Sequence, residues 1–270
     1  TGKHREQLEG MHMIAALIAR LRQKHRTMGY PDAPPPAMPD RFNGRPVLDQ
    51  SKCARGCREC VAACPVGALS GGDSILNLDL GRCLYCGECA AACPHRALTM
   101  SRDHRLAARK REDLAISAAA ETKLAEALES KMKSLFGRSL KLRQVSAGGC
   151  NACEADANVL TTLAWDLSRF GFGFVASPRH ADGLLITGPI SENMRLAPVK
   201  TYEAVPAPNL VIAVGSCAIS GGPYVDLPDV HNGARKFVPV DLYIPGCPPH
   251  PLTILDGLLR LLGRLPQNRL

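Results

Sequence analysis

The sequence has few aromatic residues, no long apolar run and no recognisable targeting segment. Aromatic side chains make up 4% of the 270 residues, and only one of them is tryptophan. No apolar stretch approaches the roughly 18 residues that a membrane-spanning helix needs, so the sequence predicts no spanning helix. The charged amino-terminal segment lacks the apolar region and the cleavage site of a secretory signal peptide, and we expect a protein that is not secreted.

Two common kinds of catalytic site are also missing. The segment from Gly188 to Met194 lacks the GxxxxGK[ST] spacing of a phosphate-binding loop, and no serine, histidine and aspartate constellation stands out. The net charge of +8 is not accompanied by a nucleic-acid-binding motif, so we expect no nucleic acid partner. The excess of positive charge offsets anionic groups held by the protein, or it faces an acidic partner or anionic lipid headgroups.

Cysteine, by contrast, is abundant, and most of the twelve cysteines lie in two similar runs. The second run has the C-x2-C-x2-C-x3-C-P spacing by which bacterial ferredoxins bind iron–sulfur clusters. The first run ends in the same Cys-Pro but has one extra residue in its first gap, where Arg55-Gly56 can form a turn. The runs consist of Cys53, Cys57, Cys60 and Cys64, and of Cys83, Cys86, Cys89 and Cys93.

The spacing predicts how these thiolates are divided between two [4Fe–4S] clusters. Three closely spaced cysteines of a run turn toward one cluster, and the fourth binds the other cluster. The proline after each fourth cysteine ends the short helical turn. Cluster 1 is predicted to use Cys53, Cys57, Cys60 and Cys93, and cluster 2 to use Cys83, Cys86, Cys89 and Cys64. The alternatives are zinc, whose ribbons lack the trailing Cys-Pro, and disulfides, which suit small secreted chains.

The segments around the two runs have distinct compositions. Residues 8–22 have apolar residues at helical spacing and predict an amphipathic helix, packed on its own domain or lying on a membrane surface or a partner subunit. Residues 31–46 are rich in proline, which is typical of an extended strap. Short strands of a ferredoxin hairpin are predicted at 73–78 and 97–100. Residues 102–136 are charged and alanine-rich, which predicts a helical linker.

From about residue 137 onward, predicted strands alternate with predicted helices, which is typical of a parallel, doubly wound sheet. The strands are predicted at 140–145, 172–175, 183–187, 209–214 and 240–244, and the helices at 156–170, 191–202 and 249–264. The remaining cysteines follow the carboxyl ends of three of these strands, the edge at which open α/β sheets build their sites. They are Cys150, Cys153, Cys217 and Cys247, and we predict that they hold a third [4Fe–4S] cluster. The alternative is a CxxC redox pair with two inert thiols, which leaves the PGCPP and GSC sequences unexplained.

Two stretches resemble known proteins. The segment from Leu135 onward resembles the small subunit of energy-converting, membrane-associated [NiFe]-hydrogenases and the homologous 20 kDa subunit of respiratory complex I. The matching sequences are LFGRSLKLRQVSAGGCNACE, SPRHADGLLITGP, VGSCAISGG and IPGCPPHPLTILDGLLRLL. The spacing Cys150-x2-Cys153 resembles the hydrogenase branch, since the complex I subunit has adjacent cysteines there. Residues 11–100, with the strap YPDAPPPAMPDRFNGRPVLD, resemble the separate two-cluster ferredoxin subunit of the same complexes, although the gap after Cys53 departs from its pattern.

These resemblances complete the predicted organisation. The chain is expected to consist of an amphipathic helix with an amino-terminal extension (1–30), an α+β ferredoxin-like domain with two [4Fe–4S] clusters (31–101), the helical linker (102–136) and an α/β flavodoxin-like parallel-sheet domain (137–270). The implied function is electron transfer through three [4Fe–4S] clusters to or from a large catalytic subunit that oxidises hydrogen or reduces protons. We expect no nickel on this chain, since no cysteine is left over to bind it.

The resemblance also implies partners and a location. The partners are a large hydrogenase-like or complex I 49 kDa-like subunit, membrane-arm subunits, and an electron donor such as formate dehydrogenase, CO dehydrogenase or ferredoxin. The location is peripheral, on the cytoplasmic side of the inner membrane. One alternative is a quinone-reducing, complex I-like subunit whose partner holds no nickel. Another is a cluster carrier or scaffold without catalytic turnover.

Three further residues are candidates near the third cluster. Glu154 follows the CxxC directly, and it is either a proton relay with a raised pKa or a helix N-terminal acid that the helix dipole favours. Arg179 and His180 match a family segment close to the cluster or to the quinone-side surface. A cation there would raise the reduction potential of the cluster, and the alternative is an ordinary polar loop.

Overall fold

Two small antiparallel sheets precede one parallel sheet along the chain. A computed structural model describes residues 14–24, 26–71, 76–117 and 123–265. The strands are β1 (Pro46–Leu48), β2 (Leu69–Gly71), β3 (Leu76–Asp79), β4 (Leu98–Met100), β5 (Ala115–Ser117), β6 (Leu140–Ser146), β7 (Phe172–Phe174), β8 (Gly183–Thr187), β9 (Leu210–Val214) and β10 (Leu242–Ile244). The helices are α1 (residues 14–23), α2 (Glu59–Ala62), α3 (Glu88–Ala92), α4 (Ser130–Phe136), α5 (Ala152–Val159), α6 (Leu196–Ala204), α7 (Gly215–Ser220) and α8 (Pro251–Leu261).

The first part of the fold is built from two copies of one small unit. Each unit runs from a strand through a cysteine loop and a short helix to a second strand, as β1–α2–β2 and as β3–α3–β4. The units exchange strands, because β1 pairs with β4 and β2 pairs with β3, both antiparallel. The strands predicted at 73–78 and 97–100 are therefore present as β3 and β4 but are not partners in one hairpin. Residues 73–75 lie outside the described part of the chain.

The second part is a five-stranded sheet in the order β7-β6-β8-β9-β10, with every neighbouring pair parallel. Strands β8 and β9 are buried along their whole length, as their continuous apolar sequences require for a sheet covered on both faces. Helix α8 is also buried throughout. The predicted helix at 156–170 is shorter than expected. It ends with α5, because the hydroxyls of Thr161 and Thr162 bond the carbonyls at its end and Asp166 adopts a φ of 45°.

The prediction of a helical linker at 102–136 is wrong. Within its described residues, helix is found only in α4 and in a short 3₁₀ turn at Arg111–Leu114. Ala108 forms an antiparallel bridge with Tyr243, and β5 adds a third strand beside β3. The physical reason is burial: Leu106 and Leu114 pack inside the protein rather than standing on a solvated helix face. Alanine's helix propensity is a weak preference that such tertiary contacts override. Residues 118–122 of this segment lie outside the described ranges.

The two parts of the fold share an apolar core and are not joined only by a linker. One cluster of buried side chains combines Leu80 and Cys83 of the first part with Ala213, Ile219 and Tyr243 of the second. Hydrogen bonds cross the same boundary, as from the Arg109 Nε to the Asp241 carbonyl over 2.7 Å. The two parts are therefore held at a defined mutual position.

The segment before the strap is anchored on the parallel-sheet part. The Met28 N–H donates to the Ala164 carbonyl over 2.9 Å, and the Tyr30 hydroxyl donates to Asp256 Oδ1 over 2.9 Å. Asp256 is fully buried, and its Oδ2 accepts from Arg260 Nε over 2.7 Å. The end of the predicted amino-terminal extension, residues 28–30, is thus hydrogen-bonded to the parallel-sheet part, with Tyr30 bonded to α8.

Replacing Tyr30 with phenylalanine should lower the melting temperature of the cluster-loaded protein. The change leaves a buried carboxylate oxygen with one partner fewer, and a hydrogen bond to a charged group contributes about 1.5–3 kcal/mol to stability. The control is Tyr224→Phe, since Tyr224 is 36% exposed. Equal melting temperatures of the two variants would contradict a stabilising role of the Tyr30 hydroxyl.

Candidate iron–sulfur sites

The cysteines predicted for cluster 1 lie close enough to influence one another. Cys60 is buried, and burial raises the pKa of its thiol. Negative charge on Cys93, Cys53 and Cys57 raises that pKa further. The group therefore contains three cysteines of the first run and the fourth cysteine of the second run.

The cysteines predicted for cluster 2 form a second group. Burial raises the pKa of the Cys83 thiol to about 12, although the Tyr85 N–H donates to its Sγ over 3.3 Å. Charge on Cys89, Cys86 and Cys64 adds to the upward shift. Cys64 comes from the first run, so the fourth cysteines are exchanged between the two runs in both directions.

Backbone N–H groups point at the two exchanged cysteines. The Ala68 N–H donates to Cys64 Sγ over 3.1 Å, and the Ala97 N–H donates to Cys93 Sγ over 3.3 Å. For Cys93, burial alone would raise the pKa of the thiol, but N–H groups of residues 95–98 outweigh it and hold that pKa below its ordinary value. Such donors favour the thiolate form, which is the form that binds metal.

The extra residue in the first run is accommodated as predicted. The Cys57 N–H donates to the Ala54 carbonyl over 3.2 Å, which closes a turn over Arg55 and Gly56. Gly56 has a φ of +74°, the left-handed conformation that a type II turn needs at its third position. The longer gap therefore forms a turn and leaves Cys57 within the first group.

The four remaining cysteines meet at the carboxyl edge of the parallel sheet. Cys150 and Cys153 follow β6, Cys217 lies in α7 after β9, and Cys247 follows β10. Burial raises the pKa of the Cys153 thiol, and charge on Cys217, Glu154, Cys247 and Cys150 raises it further. Cys153 and Cys217 are buried, whereas Cys150 and Cys247 are exposed. This third group is thus closed toward the sheet and open toward solvent.

Glycines make room for the buried thiols of the third group. A Cβ atom on Gly215, which has a φ of +89°, would stand 2.5 Å from Cys153 Sγ. A Cβ atom on Gly222 would stand 2.7 Å from Cys217 Sγ. Both distances are shorter than any ordinary contact, so these two thiols require glycine beside them.

The arrangement of the thiols fits clusters better than single ions or disulfides. All twelve cysteines are free of disulfide bonds. Within the described ranges, no three histidine, cysteine, aspartate or glutamate side chains are placed to hold one metal ion. Structural zinc needs four ligands within about 2.3 Å of one point, whereas in an iron–sulfur cluster the thiolates bind different iron atoms. Groups of four thiols, with backbone N–H groups aimed at sulfur in the first two, suit an iron–sulfur cluster.

The second group lies near both of the others. Charge on Cys60 of the first group raises the pKa of the Cys89 thiol in the second group, after the larger contributions of burial, Cys86 and Cys64. Charge on Cys86 likewise raises the pKa of the Cys247 thiol of the third group, after burial and Cys150. The second group is therefore a neighbour of both other groups. A cavity of about 190 Å³, lined by Tyr85, Cys247, His250 and other residues, lies beside its junction with the third group.

Glu154 is buried beneath the third group. Its Oε1 accepts hydrogen bonds from Ser146 Oγ over 2.5 Å and from Thr187 Oγ1 over 2.6 Å. It belongs to the first turn of α5, as expected of a helix N-terminal acid, but its partners come from the ends of β6 and β8. The helix dipole alone therefore does not explain its position, and its role as a proton relay stays a prediction.

The structure does not bring Arg179 and His180 into the third group. Both side chains are exposed on a short 3₁₀ turn, Pro178–His180, that precedes β8. Two residues later, Asp182 Oδ2 accepts from the N–H of Lys141, near the start of β6, over 2.6 Å. Arg179 and His180 therefore lie near the amino ends of the strands, whereas the cysteines of the third group follow the opposite, carboxyl ends. A role of these two residues in tuning the third cluster stays a prediction.

The sequence analysis missed Ser216. Its hydroxyl donates to the carbonyl oxygen of Cys83 over 2.6 Å, so it joins the second group to the third. The serine was visible in the GSC sequence after β9, but no local pattern indicated that its partner lies 133 residues earlier in the chain.

Comparisons with known proteins divide the chain at the same place. Residues 150–261 match the family of the NADH ubiquinone oxidoreductase 20 Kd subunit, and residues 45–94 match a 4Fe–4S dicluster domain. The resemblances of both parts that the sequence predicted are thereby confirmed. The dicluster match contains β1 to α3 of the antiparallel part, and the other match contains four of the five strands of the parallel sheet, β7 to β10.

Three relatives each match about half of this chain. Formate hydrogenlyase subunit 7 of Escherichia coli is 44% identical over 131 residues, which are 48% of this chain and 51% of that protein. A probable membrane-bound hydrogenase subunit, mbhJ, of Pyrococcus furiosus is 39% identical over 54% of this chain and 87% of its own length. An NADH-quinone oxidoreductase subunit of Clostridium beijerinckii is 46% identical over 42% of this chain and 68% of its own length. The chain thus spans about half the length of the first of these relatives.

Proposed function

Because this chain belongs to the family of the 20 kDa subunit of NADH ubiquinone oxidoreductase and carries a 4Fe–4S dicluster domain before it, we propose that it is the electron-transfer subunit of a membrane-associated, hydrogenase-like complex. Its large catalytic partner would oxidise hydrogen or reduce protons. The single observation that carries the proposal is the gathering of twelve cysteines into three neighbouring groups of four. When bound, three [4Fe–4S] clusters supply one-electron transfer.

The residues that would hold the clusters are those of the three groups. Cluster 1 would use Cys53, Cys57, Cys60 and Cys93; cluster 2 would use Cys83, Cys86, Cys89 and Cys64; cluster 3 would use Cys150, Cys153, Cys217 and Cys247. Burial disfavours a bare thiolate, and a bound cation reverses that preference because it deprotonates its thiol ligand. The remaining task of the chain is to shield the cysteine groups from water, to direct backbone N–H groups at sulfur and to fix the order of the three groups.

We infer that the second domain is flavodoxin-like. Numbered from β6 in chain order, its strands lie in the order 2-1-3-4-5, and all neighbours are parallel. That order is one of the two common doubly wound arrangements, and such sheets bind ligands outside the carboxyl ends of their strands. The position of the third group at this edge is what the assignment predicts.

The exposed side of the third group is the proposed docking site of the large subunit. Cys150 and Cys247 are solvent-exposed, whereas the shell around a metal site controls solvent access and with it the reduction potential. A hydrogenase-like or 49 kDa-like large subunit would provide the missing cover. The C-x2-C spacing at Cys150 and Cys153 favours the hydrogenase branch, and a quinone-reducing complex with a nickel-free partner is the second candidate.

The proposed location is peripheral, on the cytoplasmic side of the membrane, together with membrane-arm subunits. No helix in the part of the chain that is described is long and apolar enough to cross a membrane. Helix α1 exposes an apolar stripe, in which Leu17 is 61% and Leu21 is 78% exposed. Arg22 near the end of the helix and Lys24 just after it place positive charge at that end of the stripe, which suits a helix that lies on an anionic membrane surface.

The double substitution Leu17→Glu and Leu21→Glu should reduce binding of the protein to vesicles that contain anionic phospholipid. Burying a leucine contributes about 1.5–3 kcal/mol, so losing two should weaken binding by more than tenfold. Co-sedimentation with vesicles measures the effect. The matched control is Ala16→Glu with Gln23→Glu, which adds as much negative charge on the other side of α1. Unchanged binding of the leucine variant would remove this helix from the proposed membrane contact.

The proposal is tested by isolating the chain from its own cells through an affinity tag. We expect a large subunit with two C-x2-C pairs and nickel to co-purify, and we expect about twelve iron atoms per chain, as three [4Fe–4S] clusters require. A co-purifying large subunit without nickel would favour the quinone-reducing candidate. A solitary protein with labile iron would favour the carrier or scaffold and overturn the proposal.

A further inference from the structure

A single buried hydroxyl connects the second and third cysteine groups. Ser216 is 1% exposed and directly precedes Cys217 of the third group. Its Oγ lies 2.6 Å from the carbonyl oxygen of Cys83, which belongs to the second group. The same Oγ lies 3.1 Å from the carbonyl oxygen of Gly246, the residue before Cys247. One side chain thus reaches three of the loops that carry the proposed ligands.

The Ser216 hydroxyl donates its proton to the Cys83 carbonyl oxygen. A serine hydroxyl has one proton to donate, and the contact with the Cys83 carbonyl is the shorter of the two. The Gly246 carbonyl already accepts the backbone N–H of Ser216 over 2.8 Å. The bond from Ser216 to Cys83 is therefore a direct hydrogen bond between the two groups, in a place that water does not reach.

This bond completes a continuous route between two proposed ligands. The route runs from the Cys83 side chain through its own carbonyl, across the hydrogen bond to Ser216 Oγ, and along the backbone to Cys217. Electronic coupling falls off more slowly along covalent and hydrogen bonds than across an empty gap. Cys86 also lies near enough to Cys247 for its charge to raise the pKa of that thiol, so the groups approach each other at a second place without a bond.

We propose that Ser216 is a positioning residue for electron transfer, whose hydroxyl strengthens the electronic coupling between clusters 2 and 3. The inference rests on the proposed function, since it requires both clusters to be bound. The hydroxyl bonds a carbonyl and no thiol, so it should leave the reduction potentials of the clusters unchanged. Because the Cys86–Cys247 approach remains, its loss should slow transfer without abolishing it.

The chain offers a matched control at Ser220. This serine is also buried in α7, and its hydroxyl also crosses the boundary, donating to the Gly81 carbonyl over 2.8 Å. Neither Ser220 nor Gly81 is a proposed ligand or the direct neighbour of one. Ser220→Ala therefore removes a similar bond between the same two parts and leaves every atom of the route from Cys83 to Cys217 in place. It also removes the longer contact, 3.2 Å, of the Ser220 Oγ with the Ser216 carbonyl oxygen.

The experiment compares the full cluster-loaded chain with its Ser216→Ala and Ser220→Ala variants. The measurements are iron content, the potential of each cluster from redox titrations followed by electron paramagnetic resonance, and the rate at which an electron that a photoreductant delivers to clusters 1 and 2 reaches cluster 3. In Ser216→Ala we expect full iron content, unchanged potentials and a several-fold slower transfer rate. In Ser220→Ala we expect the parent rate.

Two further variants separate the hydroxyl from packing. Ser216→Thr keeps the donor and Ser216→Val lacks it at nearly the same volume, so transfer should be fast in the first and slow in the second. A parent-like rate in a fully loaded Ser216→Ala protein would overturn the proposal. Loss of cluster 3 from the alanine and valine variants but not from the threonine variant would also overturn it, because the hydroxyl would then only hold the loop. A parent chain without three clusters would instead refute the proposed function.

Discussion

Replacing Cys93 with alanine should abolish the same cluster as replacing Cys57, although the two residues belong to different runs. Charge on both cysteines raises the pKa of the Cys60 thiol, which places them around one site. Each single substitution should remove about a third of the bound iron, because one of three [4Fe–4S] clusters loses a ligand. Iron analysis and the spectrum of the reduced protein by electron paramagnetic resonance measure the loss.

The reciprocal pair provides the control for this exchange. Cys64→Ala should remove the signal that Cys86→Ala removes, since both residues belong to the group around Cys83. The signals lost in the two pairs should be different ones. If Cys93→Ala removed the signal that depends on Cys86, each run would hold its own cluster, and the assignment of ligands to clusters 1 and 2 would be wrong.

Replacing Gly215 with alanine should remove the third cluster and spare the other two. The added Cβ would stand 2.5 Å from Cys153 Sγ, and the backbone at this position has a φ of +89°. Cys153 has little freedom to retreat, because it is buried in the first turn of α5. The thiol must leave its place, and we expect the iron content to fall by about a third, with loss of electron transfer to the large subunit.

Gly67→Ala separates the displaced thiol from backbone strain. Gly67 also has a positive φ, +60°, but a Cβ there would meet nothing within 4 Å. That substitution should cost only the left-handed strain of about 1–2 kcal/mol and leave all three clusters bound. A Gly215→Ala protein with the full iron content and three signals would show that the site tolerates a methyl group, against the geometry described above.

One covalent chain holds both the dicluster domain and the 20 kDa-type domain. The contacts between the two domains explain why the second and third cysteine groups keep a fixed relative position. The apolar cluster around Leu80 and Tyr243, the bridge at Ala108 and the hydroxyls of Ser216 and Ser220 all cross the same boundary. A tether alone would let the second and third groups drift apart. These contacts hold the groups side by side within the one chain.

Features that depend on neighbours in sequence were predictable. The two cysteine runs, the turn at Gly56 and the strand at 183–187 follow from residue spacing, turn chemistry and continuous apolar sequence, each of which acts over a few residues. The helix at 156–170 and the linker at 102–136 were predicted wrongly for different reasons. The helix ends early because the hydroxyls of Thr161 and Thr162 bond nearby carbonyls. The alanine-rich linker favours helix only weakly, and its partner Tyr243 lies far away in the chain.

The sequence by itself determined which residues carry sulfur and in what local loops, because a short cysteine loop can present its thiols in few ways. It also determined the parallel sheet, through strands that are apolar on both faces. Only the tertiary structure decided that Glu154 is buried against Ser146 and Thr187, that Arg179 stands away from the cysteines, and that Ser216 reaches Cys83. The physical reason is that these positions depend on segments with no local pattern in common. They exist only once the parallel sheet has formed and, for Ser216 and Cys83, once the two domains have packed.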